Sequence, residues 1–208
     1  MSKTDVRNLD VIAPNFKRRL SGVTATVARL VPLQAAKIAI AAAAPNLPAH
    51  VPQISPYDTA LMPRKGPSGA RVWHARRNVE MLAGLVLKHV LRKDLKLLFT
   101  SASQRKHTAY SRWLITRMDR VIATSSKTAA YLERPADVIL HGIDTSEFHP
   151  SETTDEIRAH LGLPEGPVIG CFGRIRHQKG TDLFVDTMLQ VLANRPGTAI
   201  LLGRATEK

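Results

Sequence analysis

Residues 71–100 read RVWHARRNVEMLAGLVLKHVLRKDLKLLFT, and this stretch decides the fold class. It predicts a short strand over Arg71–Trp73, a helix over Arg76–Arg92 and an apolar, buried strand over Lys96–Thr100. Four apolar residues recur on one side of the predicted helix: Val79, Leu82, Val86 and Val90. A strand, a helix and a second strand in this order form a βαβ unit, in which a crossover helix joins two parallel strands.

The alternation of short strands and helices extends in both directions from this unit. Further strands are predicted over 9–14, 37–44, 120–124, 137–140, 168–172 and 198–202. Further helices are predicted after Ser21, which has the character of an N-cap, and over 110–118, 153–161 and 181–193. Residues 45–70 contain eight prolines and glycines and are predicted to form a loop. The pattern predicts an α/β fold with a parallel sheet and crossover helices.

The alternation is interrupted between residues 144 and 166 by prolines and a charged helix. We therefore expect an N-terminal Rossmann-like domain over 1–149, a linker over 150–165 and the first βαβ unit of a second Rossmann-like domain over 166–208. A single βαβ unit cannot cover both faces of its sheet. The sequence thus predicts that these 208 residues are a fragment of a two-domain protein.

Composition and charge exclude several classes of protein. Hydrophobic residues make up 44% of the chain, which argues against wholesale disorder, and the single cysteine, Cys171, excludes an internal disulfide. The first residues lack the apolar core of a secretory signal, and the best apolar run, Ile38–Ala44, is far too short to span a bilayer. A net charge of +13 indicates an anionic partner: nucleic acid, anionic lipid or a phosphorylated ligand.

The loop GRIRHQKG, residues 173–180, is the strongest candidate site because it follows a buried strand and precedes a helix. Gly173 and Gly180 permit tight backbone paths, and the helix start adds free N–H groups. Arg174 offers a planar fork and Lys179 a point charge for phosphate oxygens. The loop is not a Walker sequence, and the residues alone leave two readings open: a diphosphate site or an ordinary basic turn.

A second motif, HGIDTSEFHP at 141–150, precedes that loop at the distance found in family 4 glycosyltransferases of GT-B fold, and the chain resembles that family. Within it, the lipopolysaccharide core mannosyltransferases are the subgroup that the chain resembles over almost its whole length. The segments that carry this resemblance are VIAPNFKRRLSGVT, RVWHARRNVEML, FTSASQRKHT, RMDRVIATS, HGIDTSEFHP and GCFGRIRHQKGTDLFVD.

The resemblance implies a retaining transfer of mannose from GDP-mannose, as substrate rather than cofactor, to the lipopolysaccharide core. It implies that Arg174 and Lys179 act catalytically by holding the donor diphosphate, with Gly173 and Gly22 also against the donor. It further implies a cytoplasmic enzyme peripheral to the inner membrane, in contact with anionic lipid. The family's E-x7-E region is absent from this chain, so we expect only half of the donor pocket, and weak or no activity from the fragment.

Candidates on the acceptor side follow the predicted strands of the first domain. They are Arg19, His74, Arg76, Ser101 and Arg105. Ordinary helix capping around Arg19 and a solvated loop around Arg105 are the simpler alternatives. The family often has a histidine after the strand matched by Leu97–Phe99, and here Thr100 and Ser101 stand in its place.

Other functions find less support in the residues. No C-x2-C, H-E-x-x-H or G-x-S-x-G motif is present, so we expect neither a metal site nor a serine hydrolase. The alternative to an enzyme is a non-catalytic module that binds anions or nucleic acid. Nucleic acid is not expected, because the chain lacks an aromatic stacking pattern. A nucleotide-sugar enzyme with a different acceptor stays open.

Overall fold

The computed structural model describes residues 4–17, 21–150 and 153–204. The chain divides into two compact units, Met1–Gly142 (unit 1) and Ile143–Lys208 (unit 2). The predicted α/β architecture with parallel sheets is confirmed in both units.

Unit 1 is built on a seven-stranded sheet whose strands all run parallel, in the order β3-β2-β1-β4-β5-β6-β7. The strands are β1 Val11–Pro14, β2 Ile40–Ala43, β3 Gln53–Ile54, β4 Arg71–Ala75, β5 Leu95–Ser101, β6 Arg120–Ala123 and β7 Asp137–Val138. The helices are α1 Gly22–Ala35, α2 Asp58–Leu61, α3 Asn78–His89, α4 Ala109–Ile115 and α5 Ser126–Ala130, after a 3₁₀ turn at Val6–Asn8.

The strand order reverses between β1 and β4, as in doubly wound folds that bind ligands at such a switch point. Successive strand residues face opposite sides, so Ile12 packs in one core cluster and Ala13 in another. Val27 of α1 joins the cluster of Ala13, whereas Met81 of α3 joins that of Ile12. Helices therefore cover both faces of the sheet.

Helix α3 packs against β4 through a close contact at Gly84. A Cβ at this position would lie 2.6 Å from Cδ1 of Trp73, so only glycine fits without displacement. The Trp73 indole is fully buried, and its Nε1 donates to the carbonyl of Glu80 at 2.8 Å. The side of α3 that enters the core is that of Met81, Gly84 and Leu85, and the four apolar residues with helical spacing lie on its exposed side.

The prediction that residues 45–70 are all loop was wrong. Strand β3 pairs with β2, and the short helix α2 follows it, with the Asp58 carboxylate accepting from the backbone N–H of Ser55. Pro52 precedes β3 directly, and proline is tolerated there because β3 is the edge strand of the sheet.

Unit 2 contains α6 Thr154–His160, β8 Val168–Phe172, α7 Thr181–Leu192 and β9 Thr198–Leu202. Strands β8 and β9 run parallel and form the predicted βαβ unit with α7. Large apolar side chains of both strands and the helix are exposed, among them Phe172, Leu183 and Leu202. No helix in the described ranges is long and apolar enough to cross a membrane.

Candidate functional site

A cleft of about 630 Å³ opens in unit 1 at the carboxyl ends of its strands. It lies at the switch point, because its walls come from α1 and its N-cap, from the ends of β4, β5 and β6, and from the segment after β7. One wall is apolar, with Val23, Leu30, Ile122, Ile139 and Leu140. The polar groups that line it include Ser21, Gln34, His74, Arg76, Thr100, Thr124 and His141.

His74, at the end of β4, is a neutral polar group in this cleft. Its Nε2 shares a hydrogen bond of 2.7 Å with the hydroxyl of Thr100, on the neighbouring strand β5. Burial lowers the pKa of His74 to about 3, and the nearby Arg76 cation adds to the effect. The ring is therefore uncharged at neutral pH, so it can hydrogen-bond a sugar hydroxyl but cannot neutralise a phosphate.

Arg76 provides the positive charge of the cleft. Burial lowers its pKa to about 10, opposed by Glu80, so the guanidinium remains protonated at neutral pH. Its Nη1 donates to the carbonyl of His74 at 3.3 Å, while its backbone N–H donates to Oε2 of Glu80 at 2.8 Å. A partly desolvated cation with donors left over suits a phosphate or carboxylate on a ligand.

Arg77 is the centre of a hydrogen-bond network next to the cleft. One of its guanidinium nitrogens donates to Oδ1 of Asn15 and Oε1 of Glu80, both at 2.8 Å. The other donates to Ser21 Oγ at 2.9 Å and Thr24 Oγ1 at 3.0 Å. This network joins the start of α3 to the start of α1 and so fixes the turn that carries Gly22.

Of the predicted unit 1 residues, the cleft brings together Gly22, His74 and Arg76. Gly22 is the first residue of α1, which Ser21 caps by accepting from the N–H of Thr24, and a Cβ at Gly22 would meet open space.

Two of the remaining acceptor-side candidates are not among the residues that line the cleft. Ser101 is buried at the end of β5, and Arg105 is exposed on the loop that follows. Arg19 lies outside the described residues. The roles of all these residues stay predictions. The sequence analysis missed the Arg77 network, because Asn15, Ser21 and Thr24 lie more than 50 residues before Arg77 in the chain.

The loop of unit 2 has the backbone that its glycines predict. Gly173 has φ 142° and Gly180 has φ 72°, a left-handed conformation that favours glycine. A 3₁₀ turn over His177–Lys179 leads into α7 at Gly180, and the Lys179 side chain is exposed. Among the described residues, no hydrogen bond or ion pair engages the side chain of Arg174 or Lys179, so both cations are available to an anion.

No group of three or more His, Cys, Asp and Glu side chains in the described ranges is placed to hold a metal ion. The candidate functional residues are thus the polar groups of the cleft in unit 1 and, as a separate region, the cations of the loop in unit 2.

The pKa of His74 has a measurable consequence for stability. The unfolded chain takes up a proton on this ring below about pH 6.5, whereas the folded chain does so only near pH 3. Between these values the unfolded state binds more protons, so the free energy of unfolding falls as the pH falls, by up to about 1.4 kcal/mol per pH unit. We expect His74→Gln to remove this part of the slope, measured by urea unfolding from pH 7 to 4. A slope equal to that of the parent chain would contradict the burial of a neutral ring.

Comparison with known proteins gives the following matches. No family model matches the chain. It is 55% identical over 209 residues to the lipopolysaccharide core biosynthesis mannosyltransferase LpsB of Rhizobium meliloti (strain 1021), over 97% of this chain and 59% of the relative. It is 51% identical over 206 residues to the lipopolysaccharide core biosynthesis mannosyltransferase LpcC of Rhizobium leguminosarum bv. viciae, over 97% of this chain and 58% of the relative.

Among solved structures, Anabaena Alr3699/HepE in complex with UDP-glucose has a TM-score of 0.71 to this chain. Its sequence identity is 16%, and the match covers 93% of this chain and 60% of that chain. At this identity, the structural similarity shows that the two chains share a fold. The chain thus spans 59% of the length of LpsB and a similar share of the other two proteins.

Proposed function

We propose that this chain, which belongs to the glycosyltransferases of GT-B fold, is part of a mannosyltransferase that acts on the lipopolysaccharide core. The observation that carries the proposal is the identity of 55% to LpsB over 97% of the chain. The cleft at the switch point of unit 1 supports it, because parallel α/β sheets bind their ligands there.

The proposed donor is a nucleotide diphosphate sugar, and we propose GDP-mannose because the relatives are named mannosyltransferases. Arg174 and Lys179 hold the diphosphate and stabilise the charge that grows on it as the glycosidic bond breaks, with retention of configuration. Their side chains have no protein partner among the described residues, and Gly173 and Gly180 give the loop its tight path. Gly22 is a further proposed donor contact, in unit 1.

The acceptor of the proposed reaction binds in the cleft of unit 1. His74 and Thr100 hydrogen-bond sugar hydroxyls, and Arg76 pairs with an anionic group of the core. Since the acceptor is built on a lipid anchor, we place the protein in the cytoplasm, peripheral to the inner membrane.

The test is mannose transfer from GDP-mannose to purified lipopolysaccharide core by the whole protein that contains this chain. Arg76→Gln should raise the acceptor KM about tenfold, since a lost hydrogen bond to a charged group costs about 1.5–3 kcal/mol. The matched control is Arg64→Gln, which removes an exposed arginine that does not line the cleft. No transfer to any core acceptor would refute the proposal, and RNA binding that persists in Arg174→Ala would favour a non-catalytic module.

A further inference from the structure

Helix α3 exposes an apolar stripe that the core does not use. Val79 is 50% exposed, Val86 43% and, one residue beyond the helix, Val90 70%, although the spacing of these residues is that of an ordinary core-facing side. Leu82 lies in the same row at 39%. Four apolar side chains in line on one exposed side indicate a surface that another body covers.

Helix α4 continues this surface with two aromatic rings. Trp113 is 44% exposed and Tyr110 49%, and their rings stack with centroids 6.2 Å apart. A shallow depression of about 550 Å³ joins the two helices, with Val86 and Val90 on the α3 side and Trp113 and Arg117 on the α4 side. We call the set Val79, Leu82, Val86, Val90, Tyr110 and Trp113 the α3–α4 surface.

Lys88, His89 and Arg117 line the depression of the α3–α4 surface, and Lys88 forms an ion pair of 2.8 Å with Asp119. Residues 78–120 contain nine Lys and Arg against three Asp and Glu, a net charge of +6. The Arg117 guanidinium carbon lies 3.9 Å from the centroid of the Trp113 ring, so cation and aromatic ring share one site on the surface. The excess is a property of one unit: unit 1 carries 23 Lys and Arg against eight Asp and Glu, while unit 2 has seven against nine.

We propose that the α3–α4 surface docks unit 1 on an anionic lipid bilayer, with Trp113 and the valines in the headgroup region and the surrounding cations against lipid phosphates. Apolar rows with a Trp, flanked by Lys and Arg, have the chemistry of interfacial membrane binding, and aromatic rings favour the headgroup level. An anionic bilayer complements both the positive charge and the apolar row, whereas an apolar protein surface would complement the row alone. This inference rests on the proposed function only because that function requires a membrane near the protein.

The two tryptophans of the chain make the test specific. Trp73 is fully buried and Trp113 is exposed, so a change of fluorescence on adding vesicles reports on Trp113. The 208-residue chain is mixed with vesicles of phosphatidylcholine alone or with 30% phosphatidylglycerol, without donor or acceptor. We expect a blue shift, protection from acrylamide and co-sedimentation with the anionic vesicles only. Trp113→Phe assigns the signal.

Variants separate the apolar contribution to vesicle binding from the electrostatic one. Val90→Asp should weaken partitioning about tenfold, since a buried valine contributes about 1.5 kcal/mol or more. The matched control Leu61→Asp changes a leucine that is 84% exposed on α2 and should bind as the parent chain does. Arg117→Gln and Arg120→Gln should each weaken binding about fivefold at low salt. Circular dichroism checks that every variant keeps its fold.

Each outcome of the vesicle experiment leads to a different conclusion. Absent binding to anionic vesicles, or equal losses in Val90→Asp and Leu61→Asp, would overturn the inference. Saturable capture of RNA with no vesicle binding would overturn it in favour of a nucleic-acid surface. Because neither donor nor acceptor is present, failure here leaves the proposed sugar transfer standing, and failure of transfer leaves vesicle binding standing.

Discussion

Arg174→Ala and Lys179→Ala are each expected to lower kcat for mannose transfer by the whole protein about 10²–10³-fold. In the proposed reaction, negative charge grows on the leaving diphosphate as the bond to the sugar breaks. A cation in contact with the diphosphate stabilises that charge. Its loss therefore raises the barrier more than it weakens binding of the ground-state donor.

The local structure supports this expectation for both side chains. The loop leaves β8 at Gly173, whose φ of 142° turns the chain sharply, and it enters α7 through Gly180 in the left-handed region. Within the part of unit 2 that the structure describes, the nearby hydrogen bond between side chains joins His177 to Asp182 and does not involve Arg174 or Lys179. The twelve-residue helix α7 begins directly after the loop, so the positive end of its dipole lies next to the loop.

The measurement is steady-state transfer with donor and acceptor each varied. A catalytic contribution lowers kcat, whereas lost ground-state binding raises KM with kcat unchanged. Arg195→Ala is the matched control, because it removes an exposed arginine of the same unit beyond the end of α7. Lys179→Arg should recover part of the rate. A kcat close to that of the parent protein in both alanine variants would contradict the assignment.

The order of strands and helices could be predicted because it rests on local patterns. Short apolar runs, the cap at Ser21 and the glycines of residues 173–180 each act within a few residues. Two short elements, β3 and α2, were missed because prolines and glycines dominate the composition around them. Only the pairing of β3 with β2, a tertiary contact, shows that the chain is extended there.

Burial was harder to predict than secondary structure. The row from Val79 to Val90 has the spacing of a core face, yet Gly84 is the residue that lets α3 approach Trp73. Arg71 is fully buried with its guanidinium against backbone carbonyls, among them that of Leu9 at 2.7 Å, and no local pattern predicts this. The carbonyl groups that surround this guanidinium come from segments far apart in the chain. The periodicity of the sequence does not predict such a tertiary contact.

The ion pair between Arg77 and Glu80 should have the largest effect on stability. Its atoms are 2.8 Å apart, and the side chains are 13% and 0% exposed. Breaking a buried pair by removing one partner costs about 3–5 kcal/mol, since the other charge is left unpaired. We expect Arg77→Met to lower the free energy of unfolding of unit 1 by about that amount. Both tryptophans lie in unit 1, so fluorescence during urea unfolding reports on it alone.

The stability that Arg77→Met loses should depend on pH, and the pKa of Glu80 gives the direction of that dependence. Burial raises the pKa of Glu80 above its usual 4.5, and the Arg77 cation opposes that rise. In Arg77→Met the rise is larger, so above pH 4.5 the folded state binds more protons than the unfolded state and stability falls as the pH rises. The variant should thus lose more stability at pH 8 than at pH 5. The double variant Arg77→Met, Glu80→Met should lose less than the single one and show no such slope. Equal losses at both pH values would mean that Glu80 is not the group left unpaired, and that Arg77 acts mainly through its hydrogen bonds to Asn15 and Ser21.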